Sequence, residues 1–274
     1  MIRSTFDLLL KLSHRLSPRY QVAFIKLVSR LLGGKAKITN NEDNISLSDG
    51  DLSIDIIHPH RALMYRDGIK KRYTNILNEY MVERVDLKSG DTIVDCGANI
   101  GEFTLAVSCL ADERDISNLR LVAFEPSPRE FLTLERNVQN LSAPDAVLSQ
   151  IALGERTDDA TCFYLKSDTA DNSVIEPLHY TEKITIKSKR LDDCEIDGPT
   201  KMLKVEAEGL EPEILRGALN TLKNTSYVTV DCGFERGINS ETTLPDVTNI
   251  LLGQGFELLD VTLPRLIALY GRKK

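Results

Sequence analysis

Val94-Asp95-Cys96-Gly97-Ala98-Asn99-Ile100-Gly101-Glu102-Phe103-Thr104 reads as the end of a strand, a glycine turn and the opening of a helix. Thirty-one residues after Val94 an acidic residue, Glu125, closes a second apolar run, Leu121-Val122-Ala123-Phe124. In an open parallel sheet such a unit leaves a crevice at the carboxyl ends of the strands. A nucleoside lies there across the turn, and its ribose meets the acid.

Gly97 and Gly101 let backbone approach a ligand and permit positive φ. The helix beginning near Gly101 presents unpaired N–H groups suited to the carboxylate of a methionine moiety. Asp95 is placed to accept from the ammonium, and Glu125, an acceptor when ionised, to receive both ribose hydroxyls. The run Asp95 to Gly101 spaces as D-x-G-x-N-x-G, and Phe103 and Thr104 stand near where the third glycine of a pyrophosphate turn would fall. The pattern therefore points to S-adenosylmethionine and methyl transfer. A dinucleotide-dependent oxidoreductase is the alternative, and a non-catalytic cofactor-binding module is a third reading.

Outward from this unit, strand and helix alternate. Strand one is Thr92 to Cys96, strand two Leu121 to Phe124, strand three Ala146 to Ala152, strand four Met202 to Val205 and strand five Tyr227 to Val230. Helices are expected over Phe103 to Leu110, Arg129 to Leu141, from Glu211-Pro212, and over Leu244 to Leu252, with proline welcome at a helix start. Gly255 to Leu259 and Leu266 to Tyr270 close the chain as an antiparallel edge hairpin. The fold class is α/β, a mostly parallel sheet with helices on both faces. Thr161 to Leu165 and Ile184 to Ile186 resemble an antiparallel pair within an insertion at residues 160–190.

Ahead of the sheet, Ile45 and Leu47, then Leu52, Ile54 and Ile56, alternate about Asp49-Gly50 as a hairpin over residues 45–57. Residues 61–87 look helical. The polar run 39–44 suggests a boundary between a helical extension, residues 1–40, and the domain at 41–274. In the extension, Phe6, Leu9, Leu10, Leu12 and Leu16, then Val22, Phe24, Ile25, Leu27, Val28, Leu31 and Leu32, recur at helical spacing across a break at Pro18.

The 274 residues, 42% hydrophobic and 27% charged, describe a globular protein large enough for one α/β domain and an extension. Five dispersed cysteines without a CxxC pair point to a reducing compartment, hence a cytoplasmic protein, and give no zinc-ligand spacing. No run of about 18 apolar residues suggests a membrane span. Residues 1–37 carry a net +7 and the remainder −14. The plainer reading of the basic helices is packing on the domain or on a second subunit. The sharper one is contact with an anionic membrane surface, at the inner face of the membrane. The acidic body disfavours nucleic acid.

On the blocks Val94 to Thr104, Phe124-Glu125-Pro126, Ile151 to Gly154, Arg190 to Asp193, and Lys204 to Glu211 running into Ile214 to Ala218, the chain resembles FkbM-type methyltransferases. This is a class I S-adenosylmethionine-dependent family, and the likeness spans roughly residues 65–260. It implies a seven-stranded sheet and O-methylation of hydroxyls in glycans or secondary metabolites. By position Asp95, Gly97, Asn99, Gly101 and Glu125 would hold the cofactor, with Ala98 and Pro126 in the same blocks and Ala152 or Leu153 beside the adenine. The family usually has Asp at the position of Glu206 and Glu near Asp231.

An alcohol must lose its proton during attack on the methyl group, so a base is expected at the carboxyl ends of strands four and five. Glu206 and Glu208 flank the end of strand four, where alternate residues share a side, and Asp231 ends strand five. Such acids could hold a base near neutrality or bind a divalent cation. Glu211 suits a helix N-terminus, and Lys204 a paired strand cation. Asn172, Ser173, His179 and Tyr180, in the insertion, suit a lid. His58 and His60 read as loop residues, and Cys96 and Cys232 as small buried fillers.

Overall fold

The computed structural model describes residues 18–40, 44–139, 141, 145–166 and 172–273. The expected helix through Phe6 and Leu16 lies outside them. The chain forms two compact units, Met1–Asn75 and Ile76–Lys274.

The first unit holds helix α1 (Pro18–Leu31) and an antiparallel meander of β1 (Lys37–Asn40), β2 (Ile45–Asp49) and β3 (Leu52–Ile56). The Asp49-Gly50 hairpin is as expected, with the alternate residues Ile45, Leu47, Ile54 and Ile56 buried. β1 is an addition, reaching into the polar run at 39–44. A 3-10 turn (Pro59–Tyr65) leads to helix α2 (Ile69–Glu79), within which the division between the units falls. The expected helix over 61–87 is thus interrupted. Gly68 at φ +106° and Met81 at φ +57° break it on either side of α2, and Val82–Arg84 is again 3-10.

Elements of the second unit run in chain order: β4 (Thr92–Cys96), α3 (Glu102–Glu113), β5 (Arg120–Phe124), α4 (Pro128–Gln139), β6 (Asp145–Ser149), β7 (Ala152–Leu153), β8 (Asp158–Leu165) and β9 (Glu182–Lys189). There follow β10 (Thr200–Val205), α5 (Glu211–Arg216), α6 (Leu219–Lys223), β11 (Thr225–Asp231), β12 (Phe234–Arg236), β13 (Glu241–Thr242), α7 (Leu244–Gly253), β14 (Phe256–Thr262) and β15 (Ile267–Arg272).

Among the described residues the main sheet has seven strands in the order β14-β15-β11-β10-β4-β5-β6. The five from β11 to β6 are parallel, and β15 pairs antiparallel with both β11 and β14. The central strands are buried over most of their length, as strands covered on both faces are; Val94, Cys96, Leu203, Val205, Val228 and Val230 share one core cluster, while Asp95 and Lys204 are polar exceptions on neighbouring strands. From β4 the chain steps one way to β5 and β6, then returns to lay β10 and β11 on the other side. Neighbouring β4 and β10 therefore form the topological switch point, beyond whose carboxyl ends a crevice opens.

One expected strand is shorter than its sequence suggested. β6 stops at Ser149, and Ala152 and Leu153 pair instead with Ser188 and Lys189 of β9 in a small separate sheet with β8. The antiparallel pair expected in the insertion is β8 with β9.

Candidate functional site

The glycine turn grows out of β4 and is held from three sides. The N–H groups of Gly97 and Ala98 both donate to the carbonyl of Phe124 at 2.9 Å, and Gly101 N–H to that of Ala98 at 2.8 Å. Asn137 Nδ2 donates to the Ile100 carbonyl at 2.8 Å. Gly97, Asn99 and Gly101 have φ of +80°, +52° and +91°. A Cβ on Gly97 would stand 1.7 Å from the backbone oxygen of Glu206, at the end of β10, whereas one on Gly101 would meet only a Leu134 methyl at 2.8 Å. Both alanine substitutions strain φ by roughly 1–2 kcal/mol, but a leucine methyl can swing aside and a strand end cannot. Gly97→Ala is therefore expected to melt well below Gly101→Ala in thermal denaturation. Equal melting temperatures would refute the close approach of the two strand ends.

Glu125 ends β5 with its side chain turned to this turn. Oε2 accepts from Asn99 N–H at 2.7 Å and Oε1 from Ser127 N–H at 2.8 Å. The carboxyl group is buried, and burial pushes it up to about 8 against the lowering pull of the two N–H groups. A carboxylate has about four acceptor positions, so two remain for further donors. Gly97, Asn99 and Pro126 are partly exposed along the same lip, whereas Ala98 turns its methyl into a core cluster with Ala123, Phe131 and Leu134. Ala152 and Leu153 are buried, Leu153 within the main core cluster.

Asp95 lies behind the turn. Its register partner across the parallel pair is Lys204, whose Nζ is 2.9 Å from Asp95 Oδ1, 3.2 Å from Glu206 Oε2, and donates to the Gly97 carbonyl at 2.7 Å. Thr104 donates to Asp95 Oδ2 at 2.9 Å. Lys204 is 2% exposed, with the rings of Tyr80 and Phe103 at 5.5 and 5.9 Å. Burial alone would lower its pKa, yet Asp95 and Glu206 outweigh it and hold the ammonium charged. Asp95 is thus engaged by a lysine and a threonine.

The carboxyl ends of β10 and β11 are joined by a polar network. Tyr80 Oη donates to Glu206 Oε2, and Arg265 Nη2 donates to both Glu206 Oε1 and Asp231 Oδ2. Asp231 Oδ1 accepts Gly233 N–H at 3.0 Å. Arg265 Nη1 lies 3.8 Å from Glu79. Glu206 meets Lys204, Arg265 and Tyr80 together, and despite burial these hold it well below the usual carboxylate range. Asp231 has only a share of Arg265, and burial plus the charge of Glu206 raise it. Of this coupled pair, Asp231 takes up a proton first.

Glu208 departs from the alternation argument. The strand ends at Val205, and Glu208 sits in the following turn at φ +50°, so its relation to Glu206 is set by the turn. Its carbonyl accepts from Ser173 Oγ at 3.0 Å, which brings the insertion against this turn. Glu211 caps the same turn, accepting Ala207 and Gly209 N–H at 2.8 and 3.1 Å, and burial raises it to about 7. Asn172 accepts from Lys166 N–H, while His179 and Tyr180 are exposed. Tyr80, Arg265, Thr104 and Ser127 were not singled out from the sequence. Tyr80 and Arg265 carry no local motif; Thr104 closes the block that opens at Val94, and Ser127 stands just past Phe124-Glu125-Pro126.

His58 and His60 lie with ring centroids 5.8 Å apart. Among the described residues no group of three His, Cys, Asp or Glu is arranged to hold a metal ion, and the five cysteines are free thiols. Burial raises the Cys96 and Cys232 thiols, so neither is a ready nucleophile.

A family model described as the methyltransferase FkbM domain matches residues 95–258. The chain is 30% identical over 147 residues to methyltransferase 1 of Beauveria bassiana, across 46% of this chain and 57% of that protein. It is 27% identical over 169 residues to the hexuronic acid methyltransferase AglP of Haloferax volcanii, across 61% and 63%. The matches thus span less than two thirds of the length of these two relatives. Among solved structures, methyltransferase FkbM from Methylobacillus flagellatus KT shares the fold, with a TM-score of 0.50, 20% identity, and coverage of 74% of this chain and 50% of that one.

Proposed function

The chain belongs to the FkbM methyltransferase family, and we propose that it transfers a methyl group from S-adenosylmethionine to a hydroxyl of a sugar, glycan or small metabolite. The observation that carries this is the direction of Glu125, whose carboxyl group lies against the glycine turn at the switch point of the sheet. Hexuronic acid, the acceptor named for one relative, supports a sugar.

The residues present fit this cofactor. Glu125 has acceptor capacity left for two ribose hydroxyls, the turn of Gly97, Asn99 and Gly101 keeps side chains away from a ligand, and the first turn of α3 offers N–H groups to a carboxylate. Pro126 borders the same lip. Asp95 acts through Lys204, shaping the turn from behind. Ala98 contributes backbone, and Ala152 and Leu153 form the floor. Bound S-adenosylmethionine supplies an electrophilic methyl on a cationic sulfur.

The protein contributes alignment and a proton acceptor. With acceptor and cofactor both held, Asp231 would accept the hydroxyl proton as the acceptor oxygen takes up the methyl group, which would leave S-adenosylhomocysteine as the other product. Glu206 is too firmly held by Lys204 and Arg265 to compete, and serves to position Arg265 and Tyr80. Glu208, in the turn under Ser173, borders the acceptor. The β8–β9 insertion forms that wall of the site.

The test is transfer of labelled methyl from S-adenosylmethionine to a panel of sugars and sugar acids, with the product isolated as a base-stable methyl ether. Asp231→Asn is expected to lower kcat roughly 10²- to 10⁴-fold, the range of a lost general base, with S-adenosylhomocysteine affinity unchanged. Failure of the folded protein to bind S-adenosylhomocysteine would overturn the assignment. Binding without transfer to any hydroxylated acceptor would favour the non-catalytic reading, and an unaltered kcat in Asp231→Asn would remove Asp231 as the base.

A further inference from the structure

Helix α1 is apolar on two faces. Val22, Ile25 and Val28 are buried, and the helix packs on the 3-10 turn at Pro59–Tyr65. Opposite them Tyr20, Ala23, Leu27 and Leu31 recur at the spacing of a single helical face, and this second stripe faces solvent. Tyr20 is 68%, Leu27 56% and Leu31 76% exposed, and Leu32, immediately after the helix, 44%. A continuous row of large apolar side chains in water marks a surface that is covered in use.

Charge identifies what covers it. From Pro18 to Asn40 there are five cations, Arg19, Lys26, Arg30, Lys35 and Lys37, and no Asp or Glu. Lys26 and Arg30, four residues apart, flank the apolar stripe, and Lys35 and Lys37 follow it. A second copy of the helix would bring like charge against like charge. A bilayer with anionic headgroups takes the leucines and the tyrosine into its acyl boundary and meets the cations with phosphates.

We propose that the Tyr20–Leu31 face of α1 lies on an anionic lipid surface and holds the enzyme there. The inference is independent of the chemistry at the glycine turn, because none of these residues belongs to that site.

The test is flotation of the full chain with vesicles of phosphatidylcholine alone and with an equal mixture of phosphatidylcholine and phosphatidylglycerol. The protein is expected to float with the mixed vesicles, to stay behind with the neutral ones, and to be released progressively by salt. Leu27→Glu with Leu31→Glu, and separately Lys26→Glu with Arg30→Glu, should each weaken binding roughly tenfold or more, with S-adenosylhomocysteine affinity unchanged. Leu27→Ser with Leu31→Ser gives the same comparison if the glutamates disturb folding. Absence of flotation on the mixed vesicles, flotation unchanged by all of these substitutions, or a dimer in solution that the leucine substitutions dissociate would each overturn the proposal.

Discussion

Glu125→Ala is expected to weaken S-adenosylhomocysteine binding roughly 10²- to 10⁴-fold while the protein stays folded. Two ribose hydroxyls donating to one ionised carboxylate contribute about 1.5–3 kcal/mol each, and every 1.4 kcal/mol is tenfold. Two N–H groups are freed: that of Asn99 belongs to a partly exposed residue, where water can replace the carboxylate, and that of buried Ser127 costs about 1–3 kcal/mol, less than the roughly 5–15 kcal/mol typical of a folded protein. The same group sets a pH dependence. Burial raises Glu125 to about 8, so near neutral pH the free protein holds this carboxyl mostly protonated, whereas accepting two hydroxyls favours the ionised form. Binding then releases a proton. Affinity should fall as pH drops below about 8, by at most tenfold per unit, and level off above it. Calorimetric titration of wild type and variant across this range checks both statements. A wild-type affinity independent of pH, or a variant that binds as tightly, would refute them.

Lys204→Met is expected to produce the largest loss of stability of any single change at the site. The ammonium is 2% exposed and lies within 3.2 Å of two carboxylates. Removing one partner of such a buried arrangement costs about 3–5 kcal/mol, because uncompensated charge is left inside. For a protein of this size that lowers the melting temperature by roughly 6–20 °C. Asp95→Asn in the same chain should recover part of the loss, and the double-mutant cycle measures the coupling. The Gly97 carbonyl also loses its donor, so cofactor affinity should fall with stability. A melting temperature unchanged within about 2 °C would show that the lysine is not the clamp between β4 and β10.

What could be read from the sequence was whatever a single segment encodes. The glycine turn, the acid after the second strand, the Asp49-Gly50 hairpin and the alternation of strand and helix are local patterns, each tied to one backbone requirement, and they led to the switch point where we propose the cofactor binds. The polar network beyond β10 and β11 is different: Lys204 and Glu206 share one segment, but Tyr80, Asp231 and Arg265 come to them from three distant ones, brought there by the fold. Glu206 and Asp231 could be read from their places at strand ends and Lys204 as a paired strand cation, but no spacing announces Tyr80, and Arg265, between two apolar runs, looks like a solvated turn residue. The alternation that paired Glu206 with Glu208 failed for a local reason, since the extended chain ends at Val205 and Glu208 turns left-handed. The misplacement of Ala152 was of the other kind. Its apolar neighbours continue a strand pattern, but a long-range pairing with β9 claims them.

The central claim is that a glycine turn and a distant carboxylate converge on one adenosine. A crystal structure of the complex with S-adenosylhomocysteine tests it most directly. The account predicts both ribose hydroxyls at hydrogen-bonding distance from Glu125 and the ligand laid across Gly97 to Gly101. Density for the ribose elsewhere, with Glu125 still bound only to Asn99 and Ser127, would contradict it.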